Sequence, residues 1–205
     1  MQNSRAYIDF MKQTKAVGRE KMEGYNPSTL EKIYDWEREE IEDTIWNYFV
    51  NKNDSDLAIF MPKLKKYNGI KALKESPYLL QVPSEASVEI GKILYEVTGD
   101  EEYLDLIKRN IDASPKTISY VSILSYCKPC QRVYNILADI YINNNNSVNR
   151  STAVMGILYN KGIIKDRDSI KESNDVINLR KKFKSEDSAE RQEILKKFEN
   201  GELAL

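Results

Sequence analysis

The chain has 205 residues, 41% of them apolar and 31% charged, with 31 Lys and Arg against 32 Asp and Glu. That balance supplies a substantial core and excludes a disordered tail, while a net charge of −1 withholds the basic excess that phosphate-dominated binding needs, so nucleic acid is a disfavoured partner. There is no His, which excludes the Ser-His and Cys-His dyads and the usual zinc sets and leaves catalysis to carboxylates, Lys, Tyr or two thiols; no metal and no cofactor are expected.

No apolar run approaches the roughly 18 residues of a membrane span. The opening MQNSRAYIDFMKQTK has no apolar signal core, so the expected address is cytoplasmic. Residues 4–21 predict a first helix, with Tyr7, Phe10, Met11, Thr14 and Val17 along one side and Gly24 marking its end. Residues 26–54 predict one long helix, opened by Asn26, Pro27 and the second cap Ser28. Leu30, Ile33, Tyr34, Ile41, Ile45 and Tyr48 share one face of it. The opposite face collects Asp35, Glu39, Glu42 and Asp43 together with Trp36 and Trp46. Either the first helix lies over these tryptophans as a lid, or they mark a docking surface in which acidic side chains and Trp anchors receive a basic protein. A metal or acid-base role for the carboxylates is weaker, since Lys32 and Arg38 lie beside them and such stripes are usually solvated.

Asp54, Asp100 and Asn146 follow one another at intervals of 46 residues, each a capping type in a polar turn. Phe49, Tyr95 and Tyr141 stand five residues before them, and Pro83 and Pro129 stand seventeen before the second and third. The columns predict a repeated unit of helix, polar turn and second helix, stacked so that neighbours bury faces that no unit can bury alone. Ser84 and Gly99 bound the clearest helix. Pro62 should kink or split the segment after Asp54, residues 69–75 predict a short helix, and residues 76–83 an ordered loop anchored by Leu79, Leu80 and Val82. Residues 117–126 are β-branched and aromatic, but Ser119, Ser122 and Ser125 favour a helix with a small-residue seam. Ser173 and Ser185 are expected to cap two further helices, the last ending at Asn200-Gly201.

The segments IWNYFVNKNDSDLAIFMPKL, GKILYEVTGDEEYLDLIKR and MGILYNKGIIKDRDSI resemble the HEAT-type helical repeat. The resemblance implies an α-solenoid or compact array of stacked antiparallel helix pairs, used in that family chiefly as a protein-binding scaffold, and some small bacterial immunity proteins are built this way. It carries no functional residue over. The expected organisation is a single all-α domain over residues 1–205: a helix in 1–25, about three helix pairs in 26–165 and capping helices in 166–205. The function expected is non-enzymatic binding of a basic protein partner through the acidic Trp face, in the form of a bacterial immunity or regulatory protein.

One motif points elsewhere. Tyr126-Cys127-Lys128-Pro129-Cys130 resembles the thioredoxin signature, which implies thiol-disulfide exchange with Cys127 attacking and Cys130 resolving, helped by the helix dipole and Lys128. Against it, no Pro follows Pro129, and the repeat already gives Pro129 a structural place.

Overall fold

A computed structural model describes residues 2–203, and every regular element among them is helical, with no strand. The all-α reading therefore holds, and the helices pack in pairs. They gather into two compact units, Met1–Gln81 and Val82–Leu205. No helix among the described residues is long and apolar enough to cross a membrane.

In the first unit, α1 (Arg5–Gln13) starts on Ser4, whose hydroxyl accepts the Tyr7 N–H, and stops well before residue 21. Thr14 returns its hydroxyl to the Met11 carbonyl, and Gly18 turns the chain at φ +59°, a left-handed conformation that glycine adopts without strain. A short 3₁₀ turn, Lys21–Glu23, follows.

The long helix expected over residues 26–54 is broken. It becomes α2 (Thr29–Lys32), a 3₁₀ turn Asp35–Glu37 and α3 (Arg38–Asn51), with Ile33 and Tyr34 extended between them. A continuous helix would pair the Tyr34 N–H with the Leu30 carbonyl. Here Glu37 takes the Tyr34 N–H at 2.9 Å and Arg38 donates to the Leu30 carbonyl at 3.1 Å. Glu37 is buried and also accepts the N–H and hydroxyl of Ser4, each at 2.6 Å, so the break ties α1 to α3.

The expected lid over the tryptophans does not form. Phe10 of α1 instead packs against Tyr25 and the edge of Phe60, at 5.4 and 5.8 Å between ring centres. Past Asn53 the chain enters a 3₁₀ helix, Ser55–Lys63, which contains Pro62 and buries Leu57, Phe60 and Met61. The short helix α4 (Gly69–Lys74) appears as expected, capped by Asn68. It lies so close to the 3₁₀ helix that a Cβ on Gly69 would sit 1.9 Å from the Met61 carbonyl oxygen. The expected anchors Leu80 and Val82 are both exposed; of the three, only Leu79, in the 3₁₀ turn Pro77–Leu80, is half-buried.

The second unit follows the predicted punctuation more closely. It comprises α5 (Glu85–Thr98), α6 (Glu102–Ala113), α7 (Ile118–Ser125), α8 (Gln131–Asn143), α9 (Ser147–Asn160), α10 (Ile170–Asp175), α11 (Ile177–Lys182) and α12 (Ser188–Glu199). α5 packs on α6 and α8 on α9, each pair joined by a short turn that makes it antiparallel. Asp100 and Asn146 lie in those two turns, and Pro83 and Pro129 immediately precede the N-caps Ser84 and Cys130. Asp54 lies in the turn before the 3₁₀ helix, but its carboxylate serves Lys21 and Tyr25 rather than capping.

Residues 117–126 are helical, as the serines suggested. α7 crosses α9 where Ser125 meets Gly156, and a Cβ on Gly156 would lie 2.8 Å from the Ser125 Cβ. Buried Asn110 joins α6 to α5 through the Ser84 N–H and the Ser87 hydroxyl. Two buried guanidiniums take carbonyls at the end of α8 and in the turn after it: Arg191 of α12 bonds the Ile142 carbonyl, and Arg150 those of Asn144 and Asn145. The final helices begin later than expected, α11 with Val176 rather than Ser173 at its N-cap and α12 with Asp187 rather than Ser185. Asn200 and Gly201 close α12 as predicted.

Candidate functional site

Because the chain is extended at Ile33 and Tyr34, the aromatic residues around the break are redistributed. Tyr34 and Trp36, placed on opposite faces of a continuous helix, come together as a stacked pair with ring centres 6.0 Å apart. Both remain about half exposed, at 53% and 50%. Trp36, Glu39, Glu40, Asp43, Thr44, Asn47 and Tyr48 then line a shallow depression of about 570 Å³ along α3.

The six residues predicted for this surface separate into two groups. Asp35, Trp36, Glu39 and Asp43 reach the surface together. Asp35 and Glu39 are exposed, and Lys66 bridges Glu39 and Asp43 at 2.9 and 2.7 Å. Lys66 and Tyr67, through their hydrogen bonds, hold the Asp43 carboxyl below its ordinary pKa, and the bonds to Asp43 and Glu39 raise Lys66. Four surface carboxylates, counting Glu40, therefore surround Trp36 against a single lysine, and the face carries net negative charge.

Glu42 and Trp46 do not belong to it. Glu42 is buried, paired with Arg38 at 2.7 Å and accepting the N–H groups of Lys65 and Lys66 at 3.0 and 2.8 Å. It anchors the chain after the 3₁₀ helix and, being buried, is not presented to a partner. Trp46 stacks flat on Tyr67, 4.5 Å between ring centres and 11° from parallel, and faces a separate groove with Phe49, Val50 and Pro77. Both lie on α3 with Glu39 and Asp43, and they leave the acidic surface because residues 65–67 pack over them. Tyr34 was missed because the wheel assumed an unbroken helix and put it on the buried face, Tyr48 because it shares a face with Ile41 and Ile45, and Glu40 because the wheel gave it no place. Tyr7 stands against Glu40, and burial, followed by that carboxylate, raises its hydroxyl.

The thiol pair has a different geometry from the one its motif implies. Cys130 is the N-cap of α8, its sulfur accepting the Val133 N–H at 3.4 Å, while Cys127 lies just past the end of α7. Cys127 is 1% exposed and directs its S–H at the Ile123 carbonyl. Burial pushes its thiol up to about 12, whereas an attacking thiol needs a lowered value. No strand exists among the described residues to form the sheet on which a thioredoxin-type dithiol sits. Both cysteines are free. No group of three or more His, Cys, Asp or Glu that could hold a metal ion occurs among the described residues.

Comparison with family models found no match, and comparisons with curated proteins and with solved structures likewise found none.

Proposed function

We propose that this chain is a non-catalytic protein-binding protein whose first unit receives a basic partner on the Tyr34–Trp36 surface, in the manner of an immunity or regulatory protein of a bacterium. The observation that carries the reading is the stacked, half-exposed aromatic pair flanked by Asp35, Glu39, Glu40 and Asp43. Leaving two large aromatic side chains half in water forgoes burial that a core position would provide, at about 25 cal/mol per Å². A partner that covers them recovers that term, and Trp and Tyr are the side chains most often found at the energetic centre of interfaces. The surrounding negative charge selects a positively charged partner and speeds its approach. The HEAT-like resemblance agrees with a scaffold of this kind and adds no residue to it.

The reading is tested by affinity capture from the source organism, together with the product of the neighbouring gene, since immunity proteins are encoded beside the toxins they cover. Wild type should retain a basic protein that a Trp36→Ala, Glu39→Lys variant loses while its melting temperature is unchanged. Retention of the same protein by both forms would remove the surface from the reading.

A further inference from the structure

In the second unit, α9 and α11 leave between them a groove of about 600 Å³. Its floor is apolar: Val154 and Phe183 are buried there, while Val148 and Ile177 remain 49% and 40% exposed. Its rim is basic. Arg180 donates to the Ser151 hydroxyl at 3.3 Å, and Lys181 and Lys184 project into solvent. None of these three cations forms an ion pair with a carboxylate among the described residues. The one carboxylate lining the groove, Glu186, is already held by Arg150 at 2.5 Å.

A solvated basic face elsewhere in this unit looks different. Lys108 sits between Asp112 and Asp139, and Arg132 is paired with Asp105. Three cations without a carboxylate partner beside exposed Val148 and Ile177 fit a ligand that carries both negative charge and apolar surface. A nucleic-acid strand would use the cations but would find no aromatic platform, because Phe183 is buried edge-on against Tyr141. A neutral peptide would fill the floor and leave the rim unmatched. We propose that this groove binds an acidic amphipathic peptide segment, its apolar side chains on Val148, Ile177 and Phe183 and its carboxylates against Arg180, Lys181 and Lys184. α9 lines the groove from Ser147 to Val154, a wall of about 11 Å, which takes about two turns of a partner helix laid along it. The inference does not depend on the Trp36 surface, which lies in the other unit.

Fluorescence anisotropy on the full chain tests it with three labelled synthetic helices. One carries Leu and Phe at i, i+4 and i+7 with Glu elsewhere, one has Lys in place of Glu, and one has Ser in place of Leu and Phe. The Glu helix should bind at least about tenfold more tightly than either control and should weaken as salt rises. Lys181→Glu with Lys184→Glu should cost at least about tenfold in affinity, and Ile177→Asp should cost a similar amount. If the charge reversal lowers the melting temperature, the Lys181→Ala, Lys184→Ala pair should show a smaller loss in the same direction. Trp36→Ala should bind the peptide as wild type does. Equal affinity for the three helices, or wild-type affinity in the lysine and Ile177 variants, would overturn the assignment. A loss confined to Trp36→Ala would overturn it as well, by moving the binding to the first unit.

Discussion

Glu37 and Glu39 stand two positions apart in the sequence, yet one is 1% exposed and the side chain of the other 77%. Burial alone would raise the Glu37 pKa, but the hydrogen bonds it accepts from Ser4 and Tyr34 outweigh that and hold it below its ordinary value. The same local accounting distinguishes the thiols. With its pKa pushed up by burial, Cys127 is almost entirely protonated at neutral pH and shielded from reagents. Iodoacetamide at neutral pH should therefore leave Cys127 unmodified until the chain is unfolded; rapid alkylation of the native protein at Cys127 would revive thiol chemistry. Two glycines are also fixed by their surroundings. Gly69→Ala drives a Cβ into backbone and should prevent the first unit from packing, whereas Gly156→Ala meets Ser125 and the movable end of Leu137 and should cost about 1–3 kcal/mol in urea melts.

At the scale of elements, contacts distant in sequence decide where helices stop. Arg38 holds carbonyls of both Leu30 and Lys63, and Glu42 holds two N–H groups more than twenty positions away. Replacing Glu42 by Ala leaves the Arg38 Nε–H and those N–H groups without their acceptor and should destabilise the first unit by about 3 kcal/mol, measured by urea unfolding. A loss below about half a kcal/mol would mean that these bonds do not hold the corner. This explains what could be read in advance. Ser84, Gly99, Asn146 and Gly201 act on backbone groups within a few residues of themselves, so their turns and caps were legible in the sequence. The break before Asp35 was not, because it needs Ser4 to reach Glu37 across 33 positions. The candidate surface inherited part of that error: Asp35, Trp36, Glu39 and Asp43 were found, Tyr34 was assigned to the wrong face, and Glu42 and Trp46 were misplaced for another long-range reason, the packing of residues 65–67 over α3.

For the whole molecule, a net charge of −1 conceals local segregation, acidic around Trp36 and basic around the groove of α9 and α11. Its titration should show two limits. Burial raises Tyr25, Cys127 and Tyr141 to about 12 each. Groups raised on folding contribute fully below their unfolded values, near pH 8.5 to 10, and that stability is lost as pH climbs towards about 12. Glu37, Asp43 and Glu172 are lowered, the last by the N–H groups of Lys165 and Asp166, so their contribution is present above the ordinary carboxylate range and lost as pH falls through their depressed values. Urea melts should show a plateau between about pH 5 and pH 8.5 with a decline on each side, and Cys127→Ala should flatten the alkaline decline. The most direct measurement is the affinity of the captured basic partner for wild type and for Trp36→Ala at about 50 and about 200 mM salt. Binding should weaken at least about tenfold on losing Trp36 and should fall further as salt rises. Equal affinity in the two proteins, or binding indifferent to salt, would contradict an acidic aromatic docking surface.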